Sequence, residues 1–168
     1  MTPLPPLLLT GGPAVGKTVT ATLLAETTPR TACLDVDDVR QLIKNGDAAP
    51  WEGAEGQAQQ LLGVTNAAAL TSNFLGAGFN VILADVLDAQ SLAEYRRLIP
   101  DVLIVRLTVS LVEARRRART RKVYLTDVEF ETLHANQSAP LDVDHQLDVT
   151  HLDQVQQSEH VRGLWTRH

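Results

Sequence analysis

The chain has 168 residues, of which 44% are hydrophobic, 21% charged and only 4% aromatic, with a formal net charge of −5. That length suits a single α/β domain over residues 1–168, able to bury about 70% of the surface of its unfolded chain, with a core left mostly to Leu, Val, Ala and Ile. The acidic balance argues against a broad nucleic-acid surface, no apolar run reaches the roughly 18 residues of a membrane span, and Met1 to Thr10 lacks the pattern of a secretory leader, so the expected location is the cytoplasm.

The first element is a strand over Leu7 to Thr10, followed directly by Gly11, Gly12, Pro13, Ala14, Val15, Gly16, Lys17 and Thr18. These residues fill every fixed position of G-x-x-x-x-G-K-[ST], and Val19 to Glu26 has helical character. The strand–loop–helix order matters chemically. Glycines let backbone N–H groups close around phosphate oxygens, and the helix that begins near Lys17 points its positive dipole end into the same place. Lys17 is expected at the β- and γ-phosphates of ATP, and the Thr18 hydroxyl as a ligand of Mg²⁺.

Thr27, Thr28 and Pro29 break the pattern before a short second strand, Arg30 to Asp35. The lone cysteine, Cys33, lies within it and is expected in the core, where free cysteines behave as small hydrophobes. The strand runs into Asp35, Val36, Asp37, Asp38, Val39, Arg40, and ligands of open parallel sheets gather at such carboxyl ends. Asp37 or Asp38 can serve as the carboxylate that takes a proton from an acceptor hydroxyl, and Arg40 can orient the acceptor or bind an anionic group on it. A short helix is expected over Val39 to Lys44, then a loop from Ala48 to Glu55 able to cover a substrate.

Gln57 to Leu75 reads as a long scaffold helix, and Phe79 to Ala84 as a strand covered on both faces that delivers Asp85, in the manner of a Walker B carboxylate that serves Mg²⁺ or positions the acceptor. A helix from about Ser91 to Leu98 and a strand over Val102 to Thr108 follow. Ser110 is a plausible N-cap for a basic helix, Leu111 to about Arg121. Six of the 15 basic residues fall between Arg115 and Lys122. At 100° per residue Arg115 and Arg119 share one face and Arg117 and Arg121 another, and either pair is suited to a lid that neutralises charge on a transferred phosphoryl group. Thr126 to Glu129 has capping-box spacing for a helix to about Ala135. A strand over Val143 to Val149 and a helix from Asp153 to Trp165 complete five strands alternating with helices, hence a parallel sheet covered on both faces.

Together the segments LLTGGPAVGKT, LDVDDVRQLI, NVILADV and SLVEARRRARTRKVYLTDVEFE resemble the small P-loop kinases, most closely the branch of polynucleotide 5′-hydroxyl kinase domains and zeta-toxin or chloramphenicol phosphotransferase relatives. The resemblance covers Leu7 to about Val155. It implies a three-layer P-loop NTPase fold with strand order 2-3-1-4-5 and a lid region over about 115–126. The D-D-x-R-Q element of the 5′-hydroxyl kinases is matched by Asp37, Asp38, Val39, Arg40 and Gln41. The D-G-D-x-x-R element of adenylylsulfate kinases is similar to Asp35 through Arg40, with Val36 in place of glycine. Both imply Asp37 as general base and Arg40 as a substrate or phosphate contact. The family's paired lid arginines match Arg115 with Arg119 or Arg117 with Arg121, and its nucleobase loop falls near Thr150, His151 and Leu152.

The leading expectation is an ATP-dependent kinase acting on a hydroxyl of a small molecule, as a monomer or homodimer. A polynucleotide 5′ end ranks second as acceptor, since few aromatics are available to stack bases. A nucleotide switch that hydrolyses ATP without an acceptor is the alternative of another class; it has no evident use for the Asp37 to Arg40 element.

Overall fold

The computed structural model describes residues 4–119, 126–137 and 139–167. The elements alternate: β1 (Leu7–Gly11), α1 (Lys17–Thr27), β2 (Thr31–Asp35), α2 (Val36–Arg40), α3 (Gly53–Gly76), β3 (Asn80–Ala84), α4 (Ala89–Leu98), β4 (Leu103–Thr108), α5 (Leu111–Ala118), α6 (Asp127–Asn136), β5 (His145–Asp148) and α7 (Gln154–Trp165). All strand pairs are parallel, and the five-stranded sheet runs β2-β3-β1-β4-β5, the order implied by the resemblance.

The apolar runs of β1, β3 and β4 divide by alternation between two cores. Leu7, Leu9, Ile82, Leu103 and Val105 face α1 and α7, where Leu24, Val161 and Trp165 are fully buried. Leu8, Val81, Leu83 and Ile104 face α3 and α4 and pack with Val64, Ala67, Leu92 and Tyr95. The second face carries Asp85 just beyond the end of β3, bonded to Tyr95 of α4. Among the described residues no helix is long and apolar enough to cross a membrane.

Several boundaries differ from the sequence expectations for local physical reasons. Arg30 has φ 51 and stands outside β2. Asp35 caps the next helix by accepting the Asp37 N–H at 3.1 Å, so α2 starts at Val36 rather than Val39 and ends at Arg40 rather than Lys44. The loop expected over Ala48 to Glu55 gives its last three residues to the first turn of α3, which runs to Gly76. Helix α4 begins before Ser91, because Asp88 is its N-cap and Ser91 closes the capping box. Helix α5 ends at Ala118, short of the expected Arg121, which lies outside the described residues. Strand β5 is shorter than Val143 to Val149. Cys33 is exposed rather than in the core. It sits on the edge strand beside Thr22 of α1, while its neighbour Leu34 packs against the other face.

Candidate active site

The glycine-rich loop follows β1 with a backbone that dictates its glycines. Gly11 has φ 142, and a Cβ there would lie 2.2 Å from the Leu107 carbonyl oxygen. Gly16 has φ 96 and would press a Cβ to 3.0 Å from Gln157 Nε2. Both positions exclude ordinary side chains. Helix α1 then starts without a side-chain cap and without an acidic residue in its first turn. Its first N–H groups and dipole are therefore available to an anion. Lys17 folds back over the loop, donating from Nζ to Gly11 O at 2.8 Å and Gly12 O at 3.1 Å. Burial lowers its pKa, against the pull of Asp37, Asp85 and Asp35.

Helix α7 and the arginine helix brace this loop from behind. Gln157, 2% exposed, donates from Nε2 to Val15 O at 3.1 Å and to Thr20 Oγ1 at 2.8 Å. Arg117 donates from Nη2 to Val149 O at 2.8 Å and Leu152 O at 3.1 Å, and from Nε to Glu113 at 2.9 Å. A cavity of about 280 Å³ lies here, lined among others by Gly16, Thr20, Arg116, Arg117, Leu152 and Gln157. Thr150 does not line it. Its hydroxyl bonds Asp148 at 2.6 Å and accepts the Ser110 N–H at 3.0 Å, tying the end of β5 to the start of α5.

The basic helix spreads its arginines. Arg115 pairs with Glu131 of α6. Arg116 forks onto Glu113 with two bonds of 2.7 Å, and together with Arg117 it holds the Glu113 carboxyl at about 2. Arg119 is the exposed C-cap of α5. Of the expected lid arginines, the structure brings Arg117 to the loop.

The carboxylate side of the site is built by β2, α2 and β3. Asp35, at the end of β2, accepts the Thr18 hydroxyl proton at 2.8 Å. Thr18 thus meets Asp35 rather than Asp85, expected as its partner on a metal. Arg40 reaches back from α2 to Asp85, with Nη1 at 2.7 Å from Oδ1 and Nη2 at 2.9 Å from Oδ2. The same Nη1 lies 3.2 Å from Asp37 Oδ1. The Asp85 carboxylate, 2% exposed, also accepts the Tyr95 hydroxyl at 2.7 Å and the Val86 N–H at 2.8 Å. Four donors therefore occupy it. Burial opposes the Arg40 charge, but the bonds and charge of Asp85 outweigh it and raise the guanidinium pKa. Gly63 of α3 lets the arginine pass, since a Cβ there would lie 2.6 Å from Arg40 Nε.

Asp37 stands at the open end of this chain, its side chain 67% exposed. Partial desolvation and then the Asp85 charge push its carboxyl above the ordinary aspartate range, against the pull of Arg40. The carboxylates of Asp37, Asp85 and Asp35, at or just beyond the ends of β2 and β3, all act electrostatically on Lys17 of the loop. Sequence reasoning gave no role to Tyr95, Gly63 or Gln157 and gave Asp35 no place on a metal. Asp35 had a signal, the alternate spacing of Asp35 and Asp37 at a strand end. The others are set by tertiary contacts with no local pattern.

No protein-family model and no curated protein matches the chain, whereas many solved structures share its fold. A sugar kinase from a Janibacter species is similar at TM-score 0.73 and 17% identity, over 98% of this chain and 95% of that one. Shikimate kinase from Acinetobacter baumannii, solved with shikimate, gives 0.71 and 18%, over 99% and 95%. APS kinase from Mycobacterium tuberculosis, solved with AMPPNP and APS, gives 0.65 and 18%, over 96% and 98%. The chain shares the three-layer fold of these kinases.

Proposed function

We propose that the protein is an ATP-dependent phosphotransferase that moves the γ-phosphate to a hydroxyl of a small-molecule acceptor. The observation that carries this reading is Asp37, a solvent-facing carboxylate with a raised pKa, beside Lys17 and steadied by Arg40. A switch needs the loop but not this carboxylate. The neighbours in fold add support, being kinases whose structures hold shikimate or APS.

In this reading residues Gly11 to Thr18 cradle the phosphates and Lys17 leaves its carbonyl partners for the β- and γ-oxygens. The Thr18 hydroxyl and Asp35 carboxylate, 2.8 Å apart, are hard oxygen donors suited to Mg²⁺, directly or through water. Bound there, the ion would neutralise charge on the phosphates. Asp37 accepts the acceptor hydroxyl proton as its oxygen attacks the γ-phosphorus and the bond to the β–γ bridging oxygen breaks, releasing ADP. Arg40 holds Asp37 and the acceptor in place, and Asp85 anchors Arg40 instead of holding the ion. The cavity beside Arg117 and Leu152 takes the nucleoside. Arg115, Arg117, Arg119 and Arg121 remain the candidates for charge neutralisation on the transferred group.

The test is an ATP-consumption screen over nucleosides, antibiotics, sugars, hydroxy acids and oligonucleotides. Transfer stimulated by a small hydroxylated compound supports the proposal. A slow, acceptor-independent ATPase rate across the whole panel supports the switch.

A further inference from the structure

The sheet face that carries Asp85 holds a second buried arginine that the reaction above leaves unused. Arg106 of β4 is in register with Thr10 of β1 and is 3% exposed. Its Nη1 donates to Ala139 O at 2.7 Å, while Nε and Nη2 are buried without an acceptor. Desolvation lowers its pKa, with no carboxylate opposing the shift. A buried guanidinium without an anion is costly, so its retention calls for a negative partner.

A complementary orphan lies nearby. The Thr10 hydroxyl, next to Arg106 across about 5 Å of ladder, accepts the Leu87 N–H at 3.1 Å, and the Leu87 carbonyl accepts the Gln137 side-chain amide at 3.1 Å. Gln137 Oε1 is then buried without a donor. Gln137 also borders the phosphate-binding loop, since a Cβ on Gly12 would lie 3.6 Å from Gln137 Cβ. Arg106, bonded to Ala139 O, and Gln137, two residues before Ala139, therefore bring unused N–H groups and an unused carbonyl to the same stretch of chain. An oxyanion with a neighbouring hydroxyl satisfies both orphans.

We propose that Arg106 and Gln137 are the anion-recognising part of the acceptor site, and that the acceptor is a hydroxylated anion. Its carboxylate, sulfate or phosphate group pairs with Arg106, and one of its hydroxyls donates to Gln137 Oε1. This assignment rests on the phosphotransferase reading. A free inorganic oxyanion shares the chemistry, and the experiment separates the two sources.

The intact protein, with Mg²⁺ and a non-hydrolysable ATP analogue added to occupy the phosphate loop, is titrated with glycerate, tartrate and glycerol 3-phosphate. Glycerol is the neutral control and sulfate the free anion. The readout is the Nε–H NMR resonance of Arg106, assigned by its loss in Arg106→Lys. The expected result is a saturable shift with a hydroxylated anion, none with glycerol, and loss of at least about tenfold in its affinity in Gln137→Leu. A shift with sulfate alone overturns the acceptor assignment, and no shift with any anion overturns the site. Because this readout needs no turnover, a protein that binds the anions yet phosphorylates nothing fails the kinase reading and not the anion site.

Discussion

Arg40 grips Asp85 through two hydrogen bonds of 2.7 and 2.9 Å, crossing from α2 to the end of β3. The pair makes a strand-end carboxylate, offered by sequence reasoning for Mg²⁺ or for positioning the acceptor, the anchor of an arginine that in turn touches Asp37. The Tyr95 hydroxyl completes the anchor at 2.7 Å, and burial and the Asp85 charge push its pKa far above the usual phenol range, so it stays a donor.

Breaking this pair from one side leaves a buried charge. Asp85→Asn is expected to cost about 3–5 kcal/mol and Tyr95→Phe about 1–3 kcal/mol, measured by urea unfolding. Adding Arg40→Met to Asp85→Asn restores part of the loss. Equal losses in the single and double variants would mean that the two residues do not act as a unit.

The metal assignment separates Asp35 from Asp85. Asp35→Asn is expected to raise the Mg²⁺ concentration needed for half-maximal turnover by about tenfold or more, and to weaken Mg²⁺-dependent binding of a fluorescent ATP analogue in parallel. Asp85→Asn leaves that requirement near the wild-type value. The reverse pattern returns the ion to Asp85.

The pH dependence follows from Asp37. Its pKa is raised, so the ionised base forms only as pH climbs past the ordinary aspartate value of about 4, and the acid limb of kcat/KM lies above that value. Asp85→Asn removes a charge that raises it and shifts the limb down. The stability sign is opposite: a carboxyl raised in the folded state contributes stability below its unfolded pKa and loses it as pH rises through the folded one. Asp37→Asn therefore gives no loss of Tm at neutral pH.

Gly63→Ala tests the passage of Arg40. The added methyl meets Arg40 Nε at 2.6 Å and Cγ at 2.8 Å, so the guanidinium shifts off Asp85. Overpacking costs about 1–3 kcal/mol, kcat/KM falls, and nucleotide affinity holds, as read by titration with the ATP analogue.

Local chemistry made the fold legible. A complete phosphate-loop motif, apolar strands and the capping box at Thr126 act through neighbours in sequence, and they appear where expected. The placement of the candidate residues was legible where one element supplies them, as with Lys17 and Thr18, and along α2 as far as Asp37 and Arg40. It was opaque where three elements meet. Nothing near Asp85 in sequence announces that Arg40 fills its oxygens, that Gly63 makes room, or that Gln157 bonds Val15 from 142 residues away. Cys33 shows the same limit, because an apolar stretch does not reveal that its strand is an edge.

The most direct test of the account is the acceptor-dependent phosphorylation rate of Asp37→Ala, with folding checked by its thermal transition and nucleotide binding by titration. A fall of about a hundredfold or more in kcat with ATP affinity retained is expected, as for loss of a general base. A folded, nucleotide-binding Asp37→Ala protein that transfers phosphate at the wild-type rate would contradict it.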